Sequence, residues 1–372
     1  MSYGFFVSLA FLAGSYLLYL ELKRKEKEGL LKATERKIFE GSPASLTELA
    51  INFIVAFFLA FKLPAAISDY SHFANDPQNF LFSAEGSFWI GLIVAALYTF
   101  YIWYQNDKAK LNPPVEKIII VHPHQSTWTM VFIAAVFGII GAKIFDQLEN
   151  WQSFVAHPLS SLFSFSGLTF YGGLIFAAVA LIWYGEKHHI PWKHLADSFA
   201  PGLILAYGIG RIGCQVAGDG DWGIVNTFTK PHWLSFLPDW LWSYNYPHNI
   251  INKGVPIPGC LGPHCMQLPQ GVFPTPIYET TMAVIIFVIL WSIRKKISTP
   301  GVLFFIYLIF NGAERFFIEH IRVDHTYNIF GHHITQAELI SPVLVMIGIA
   351  GWYLLEKRKK LNPRENKEGQ HS

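Results

Sequence analysis

A chain of 372 residues that is 52% hydrophobic and only 15% charged falls well short of the roughly 25% charge of soluble domains. That excludes an ordinary soluble globular protein and points to a membrane protein. The net charge of +2 carries no argument for nucleic acid, because the charges are segregated along the chain.

Nine apolar stretches come close to the roughly 20 residues that a membrane-crossing helix needs. They lie near 3–20, 48–66, 87–104, 128–147, 168–185, 197–214, 277–293, 301–318 and 336–355. The expected fold class is an all-α polytopic membrane protein, with one integral membrane domain over 1–372. The first stretch lacks a basic leading region and a small-residue cleavage site, so it reads as a span and not as a cleaved signal peptide. The sixth is the weakest, since it holds Pro201, glycines and Arg211.

Charge between the stretches sets an expected orientation. The segments 21–47, 105–127, 186–196, 294–300 and the tail after 355 hold 21 of the 28 Lys and Arg, and nine alternating helices put them all on one side. The opposite loops hold only Lys230, Lys253 and Arg322. The positive-inside rule therefore places the N-terminus outside, the C-terminus in the cytoplasm and 215–276 in a long extracytoplasmic loop.

Four cations fall within the stretches: Lys62, Lys143, Arg211 and Arg315. A charge at a helix centre costs about 2.5–3.5 kcal/mol on insertion scales, so such residues are functional candidates, with snorkelling from a helix end as the alternative for the lysines. Two of them also mark a repeat. At an offset of 81, Lys62, Phe73, Pro77, Leu81, Phe82, Ser83, Gly86 and Gly91 match Lys143, Phe154, Pro158, Leu162, Phe163, Ser164, Gly167 and Gly172. Both copies run on to Ile-Trp-Tyr, so 48–104 reads as a duplicate of the helix pair 128–185.

"GIGRIG" at 208–213 spells the dinucleotide fingerprint, which must follow a strand and open a helix. Here it ends an apolar helix at the outer face, so the nucleotide reading is rejected. Glycines there allow close helix packing and a turn. In "NGAERFFIEHIRVD" (311–324), Asn311, Arg315, Glu319 and Arg322 are spaced by four, four and three and share a helix face. Two arginines with a carboxylate between them suit a phosphate and a proton acceptor, against the alternative of an ion pair that only braces the bundle. Cys260 and Cys265 are disulfide candidates in an oxidising compartment. Zinc through Cys260, His264 and Cys265 lacks a fourth ligand. Cys214 reads as a small packed residue, and His332 and His333 as solvated loop residues.

These residues carry a family resemblance. "GRIGCQVAGDGDWG" (210–223), "FYGGLIFAA" (170–178), "TPIYE" (275–279), "RFFIEHIRVD" (315–324), "ITQAELIS" (334–341) and the opening "SYGFFVSLAFLAG" resemble, in order, motifs of the prolipoprotein diacylglyceryl transferases of bacterial inner membranes. The second duplicate pair resembles the family's own, and the first looks like an addition to the usual seven helices. The resemblance implies transfer of diacylglyceryl from phosphatidylglycerol to the lipobox cysteine thiol of a preprolipoprotein at the outer leaflet, with glycerol phosphate leaving and without cofactor or metal. It implies Arg211 and Arg315 on the phosphate, with Lys143 and Arg322 beside them. Glu319 is the first candidate for the base, with Tyr171 and Asp219 behind it; Asn311, Tyr278, Glu279 and Gln336 support. Three positions depart from the family. Its His before Gly-Gly-Leu-Ile is Tyr171, its Tyr before the helix-eight arginine is Asn311, and its signature Glu is Asp219, or Asp221 under a shifted alignment. A secondary transporter, a lipid flippase and a catalytically silent lipid-binding relative stand as alternatives. Transporters favour inverted repeats and midplane sites, whereas this repeat is a parallel pair and the polar set lies near one face.

Overall fold

The structure is a computed structural model and describes residues 2–70, 73, 80, 83, 85–111, 115–156, 158, 161, 169–323, 326–329 and 332–361. Of the sequence features above, Pro77, Leu81, Phe82, Leu162, Phe163, Ser164, Gly167 and Asp324 lie outside these residues. Each of the nine apolar stretches is a helix: α1 (Ser2–Lys27), α2 (Leu46–Ser68), α3 (Phe88–Lys108), α4 (Thr127–Glu149), α5 (Phe170–Lys187), α6 (Trp192–Ala217), α7 (Thr275–Ile293), α8 (Val302–Glu319) and α9 (Gln336–Leu361).

Among the described residues, seven of these are long and apolar enough to cross a membrane. The other two, α5 and α8, have 18 residues each. Glu186 and Lys187 end α5, and α8 carries Glu314, Arg315 and Glu319. The stretch that looks weakest in sequence, α6, is a full 26-residue helix. Its Pro201, Gly202 and Gly208 are buried. A helix that touches protein in place of lipid does not need an apolar surface all round.

The polar segments hold structure that hydropathy does not reveal. Strand β1 (Thr34–Glu40) pairs antiparallel with β2 (Val115–Val121), Thr34 opposite Val121 through to Glu40 opposite Val115. Lys37–Glu116 at 2.6 Å and Lys117–Glu40 at 3.0 Å tie the two strands. Two-residue strands β3 (Val255–Pro256) and β4 (Met266–Gln267) pair in the long loop. Strand β5 (Thr326–Ile329) pairs with β6 (His332–Thr335), so His332 and His333 belong to a strand and not to a loop. Helix α1 also outruns its apolar stretch by seven residues, ending at Lys27.

The chain divides into two compact units, one of 33–121 with 146–169 and the other of 2–32, 122–145 and 170 onward. In the first, α2 and α3 pack through stacked Phe53, Phe57 and Phe61 and the edge of Phe88. Its buried cation is satisfied locally. Lys62 Nζ donates to the carbonyls of Phe80 (2.6 Å), Ser83 (2.7 Å) and Glu85 (2.9 Å) and lies over the Phe61 and Phe80 rings. Lys62 thus holds the turn between two helices, which answers the snorkelling question with an internal role.

In the second unit, Leu18, Leu22, Met130, Leu181 and Leu195 form one core across α1, α4, α5 and α6. Ile204, Ala283, Ile286, Leu290 and Leu303 form another across α6, α7 and α8. Helices α4 and α5 cross at Gly141 and Gly172, where a Cβ on either would run into the other's carbonyl oxygen. The helix ends bearing the basic segments are laced by polar contacts. Glu21, 1% exposed, pairs with Arg24 (2.7 Å) and Arg294 (2.8 Å). Asp197 accepts from the backbone N–H groups of Gly301 (2.7 Å) and Phe304 (3.0 Å), capping the start of α8.

The Lys62 contacts give a stability expectation. Lys62→Met leaves three carbonyls without their charged donor, and a hydrogen bond to a charged group is worth about 1.5–3 kcal/mol. Thermal unfolding in detergent is expected to show a loss of that order, with earlier proteolysis within 33–121. Unchanged unfolding and proteolysis would show that the turn holds without the lysine.

Candidate active site

The opening glycines take their meaning from where α6 stops. Tyr207 and Arg211 lie one turn apart near its end, the guanidinium 5.1 Å from the ring centroid. Gly208 lets α6 approach α7 closely enough for Thr280 Oγ1 to donate to the Gly208 carbonyl at 3.0 Å. The helix closes at Gly218 in the left-handed conformation (φ 63°), which glycine adopts without strain. The chain then turns through Asp219 and Gly220 to Asp221. Gly223 and Ile224 pair there with neighbouring backbone: Gly223 N–H donates to Phe273 O and Ile224 N–H to Ile321 O, both at 2.8 Å. A Cβ at Gly223 would collide with the Ile321 carbonyl. Thr275 Oγ1 donates to the Asp221 carbonyl at 2.7 Å. Asp221 is therefore fixed at both its backbone and its side chain.

Three helix ends meet at this point. Glu279, with no exposed surface, accepts from the Tyr207 hydroxyl at 3.0 Å and from Arg322 Nη1 at 3.3 Å, pairs with Arg211 Nε, and has Arg315 Nη1 3.9 Å away. Asp221 pairs with Arg211 through one oxygen and with Arg322 Nη2 through the other at 2.5 Å. Glu319 pairs with Arg315 Nη2 at 3.1 Å. Glu314 lies within reach of Tyr207, whose hydroxyl is 3.5 Å from its Oε1. Among the described residues, three arginines thus face four carboxylates. Arg315 is the most open of the three, its side chain 23% exposed against 15% for Arg211 and 9% for Arg322.

The structure gathers Arg211, Arg315, Arg322, Glu279 and Glu319; of the residues that share a helix face by spacing, it brings Arg315, Glu319 and Arg322 together here. Of the two candidate aspartates, Asp221 reaches the arginines. Asp219 stands one step back, its Oδ1 accepting from Asp221 N–H at 3.3 Å. Tyr278 departs from its expected bracing role: its hydroxyl donates to Leu241 O at 2.8 Å and anchors the long loop. Neighbours on a helix point about 100° apart, so Tyr278 and Glu279 cannot serve one spot. Asn311 is half-buried on α8, and Gln336 is exposed at the start of α9. Lys143 and Tyr171 are half-buried on α4 and α5, not on α6 and α8, which carry Arg211 and Arg315. Sequence reasoning missed Tyr207, one turn before Arg211, and Glu314, beside Arg315. It also missed Tyr3 of α1, which lies against Gly213.

The long loop forms its own small core from Trp222, Tyr246, Leu268 and Val272. The Tyr246 hydroxyl donates to Gln215 Oε1 at 2.7 Å, fastening the loop to α6. Burial pushes that hydroxyl well above its ordinary range, which keeps it a donor. The buried Asn249 amide donates to the carbonyls of Tyr246, Lys253 and Met266. Cys260 and Cys265 form a disulfide, which removes both thiolates that a zinc site there would need. Cys214 is free and buried, and its Sγ lies with the Asp219 and Asp221 carboxylates within 4.8 Å. Both Asp221 oxygens are already held by arginines, so this trio does not suit a cation.

Removing one partner of a buried ion pair costs about 3–5 kcal/mol, and Glu279 lies against three guanidiniums. Glu279→Ala is expected to lose at least that much in thermal unfolding and Asp221→Asn less, while Asp219→Asn stays near wild type. Equal losses for both aspartate variants would show that Asp221 has no special place.

Residues 79–354 match the family model for prolipoprotein diacylglyceryl transferase. A phosphatidylglycerol–prolipoprotein diacylglyceryl transferase of Staphylococcus epidermidis (strain ATCC 35984) is 30% identical over 291 residues, covering 77% of this chain and 91% of that protein. The protein of the same name from Staphylococcus haemolyticus is 27% identical over 297 residues, 79% and 92% of the two chains. The one from Clostridium novyi is 28% identical over 223 residues, 59% and 76%. With the family match spanning most of the chain and the arginine cluster built from its motif segments, the chain belongs to the prolipoprotein diacylglyceryl transferase family.

Proposed function

We propose that this protein transfers the diacylglyceryl group of phosphatidylglycerol to the lipobox cysteine thiol of preprolipoproteins, releasing glycerol phosphate. The observation that carries the reading is the set of three arginines held in place by Glu279 and Asp221 within a chain of this family. The thiol attacks the glycerol carbon that bears the phosphate, so charge grows on the departing phosphate as the C–O bond breaks. Guanidinium groups already oriented by carboxylates meet that charge without reorganising. Arg315, the most exposed, is the first to meet the headgroup, and Arg211 closes on it from α6. Arg322 and Lys143 add positive charge behind them. Glu319 pairs with Arg315 at 3.1 Å, so Glu319 serves to aim Arg315.

The topology that fits this chemistry is nine spans in the bacterial inner membrane, N-terminus outside, with the arginines and the loop 215–276 at the outer leaflet. There both the lipid and the exported lipobox segment are within reach. A cysteine introduced at Phe236 is expected to react with an impermeant reagent from outside, and one at Leu30 is not. Outside labelling at Leu30 would overturn this orientation. We also read α2 and α3 as a copied helix pair added to the transferase core, so Lys62→Ala is expected to keep most transfer activity while Lys143→Ala loses more.

The decisive test is transfer from labelled phosphatidylglycerol to a lipobox peptide. Lysine keeps the charge of arginine but not its planar paired donors. Arg211→Lys and Arg315→Lys are each expected to lower transfer by about 100-fold, the order seen on removing one transition-state donor, with insertion and folding kept. Near-normal transfer by both would leave the arginines a bracing role only.

A further inference from the structure

Three of the four carboxylates in the cluster have an arginine counter-ion. Asp221 has Arg211 and Arg322, Glu279 has Arg211 and Arg322 with Arg315 at 3.9 Å, and Glu319 has Arg315. Glu314 has none among the described residues. It is 3% exposed, its Oε1 lies 3.5 Å from the Tyr207 hydroxyl, and its Oε2 has no hydrogen-bond partner. The groups that face it are Tyr207 and Arg211 from α6, Glu279 from α7, and Arg315 and Tyr307 on its own helix.

A proton delivered to Asp221 or Glu279 strips counter-charge from two or more buried guanidiniums, and breaking such pairs is strongly unfavourable. A proton delivered to Glu314 breaks no ion pair. Charge balance points the same way. Among the described residues four carboxylates face three arginines, and an anionic phospholipid headgroup adds one more negative charge, which a proton on Glu314 offsets. Tyr207 supplies the route: its hydroxyl lies between Glu279 and Glu314, its ring lies against Arg211, and it is only half-buried.

We propose that Glu314, reached through the Tyr207 hydroxyl, takes the proton of the lipobox thiol during transfer, an inference that rests on the transferase reading above. The Tyr207 hydroxyl turns from Glu279 to Glu314, and the thiol proton passes to the Tyr207 oxygen as the Tyr207 proton passes to Glu314. The sulfur electron pair forms the S–C bond to the glycerol carbon. The C–O bond to the phosphate breaks, and its electron pair leaves with glycerol phosphate. The proton on Glu314 then returns to that phosphate or to water.

The test uses the full-length protein in phosphatidylglycerol vesicles with two lipobox peptides, one carrying cysteine and one selenocysteine, whose selenol is already ionised at neutral pH. Glu314→Gln is expected to lower transfer to the cysteine peptide at pH 7 by about 100-fold, the lower end for loss of a proton acceptor, while phosphatidylglycerol binding persists. The deficit is expected to shrink as pH rises toward the thiol's own pKa of about 8.5, and the selenocysteine peptide to restore transfer. Tyr207→Phe should show the same pattern with a smaller loss, and it decides the matter if Glu314→Gln fails to fold. A deficit equal at every pH and with both peptides, or normal transfer to the cysteine peptide, would overturn the assignment of the proton to Glu314. A wild-type protein that transfers nothing to either peptide would overturn the transferase reading itself, and this inference with it.

Discussion

Glu279 is a carboxylate with no exposed surface that holds arginines from two other parts of the chain. Much of the site's geometry follows from it. A buried charge is tolerated only when it is paired and hydrogen-bonded. The end of α6, the start of α7 and the end of α8 must therefore converge, because each supplies one member of the set. The cores of Ile204, Ala283, Ile286 and Leu303 below this layer bring the same three helices together by apolar contact. Apolar packing supplies the driving force, and the ion cluster fixes which ends meet and in what register.

Asp221 extends the cluster to the long loop. Its carbonyl is held by Thr275 and its carboxylate by Arg211 and Arg322, while Gly223 and Ile224 bond to the segments on either side. A loop tied at this point cannot move without disturbing two arginines. The loop's own core and the Tyr246–Gln215 bond hold its remainder against α6. Donors aimed before a ligand arrives are the arrangement that stabilises developing charge at least reorganisation cost. The loop, the turn glycines and the buried carboxylate are thus parts of one preorganised unit.

The apolar stretches were legible as helices because a membrane-crossing backbone must satisfy its own hydrogen bonds, which forces long apolar runs, and seven of them are long and apolar enough to cross. The ribbons were not: β1 carries four charged and one polar residue in seven, and β3 and β4 have two residues each. The end of α1 was hidden for a related reason. Glu21 and Lys25 read as loop by hydropathy, yet their partners Arg294 and Asp197 lie far along the chain. Within the site, Arg315, Glu319 and Arg322 showed through helical spacing, and Glu279 through its motif. The choice between Asp219 and Asp221 was not legible, since spacing along a turn with two left-handed glycines does not say which carboxylate points inward. Glu314 was passed over because, next to Arg315, it falls off the four-residue ladder.

The departures from the family pattern can be read at the level of chemical groups and not of positions. Asn311 stands where the resemblance leads one to expect a tyrosine, and a phenol nonetheless reaches the arginines, from Tyr207 on α6. A hydroxyl on one helix can replace a hydroxyl on another when both helices end at the same buried carboxylate, because Glu279 rewards any donor delivered within 3 Å or so of its oxygens. The same reasoning applies to the basic group that would accept a proton. The acceptor proposed above, Glu314, is the one of the four described carboxylates whose protonation breaks no described arginine pair. A substitution that looks disabling in an alignment can therefore leave the site's chemistry complete, provided that the count of charges around Glu279 and the set of donors aimed at it are preserved.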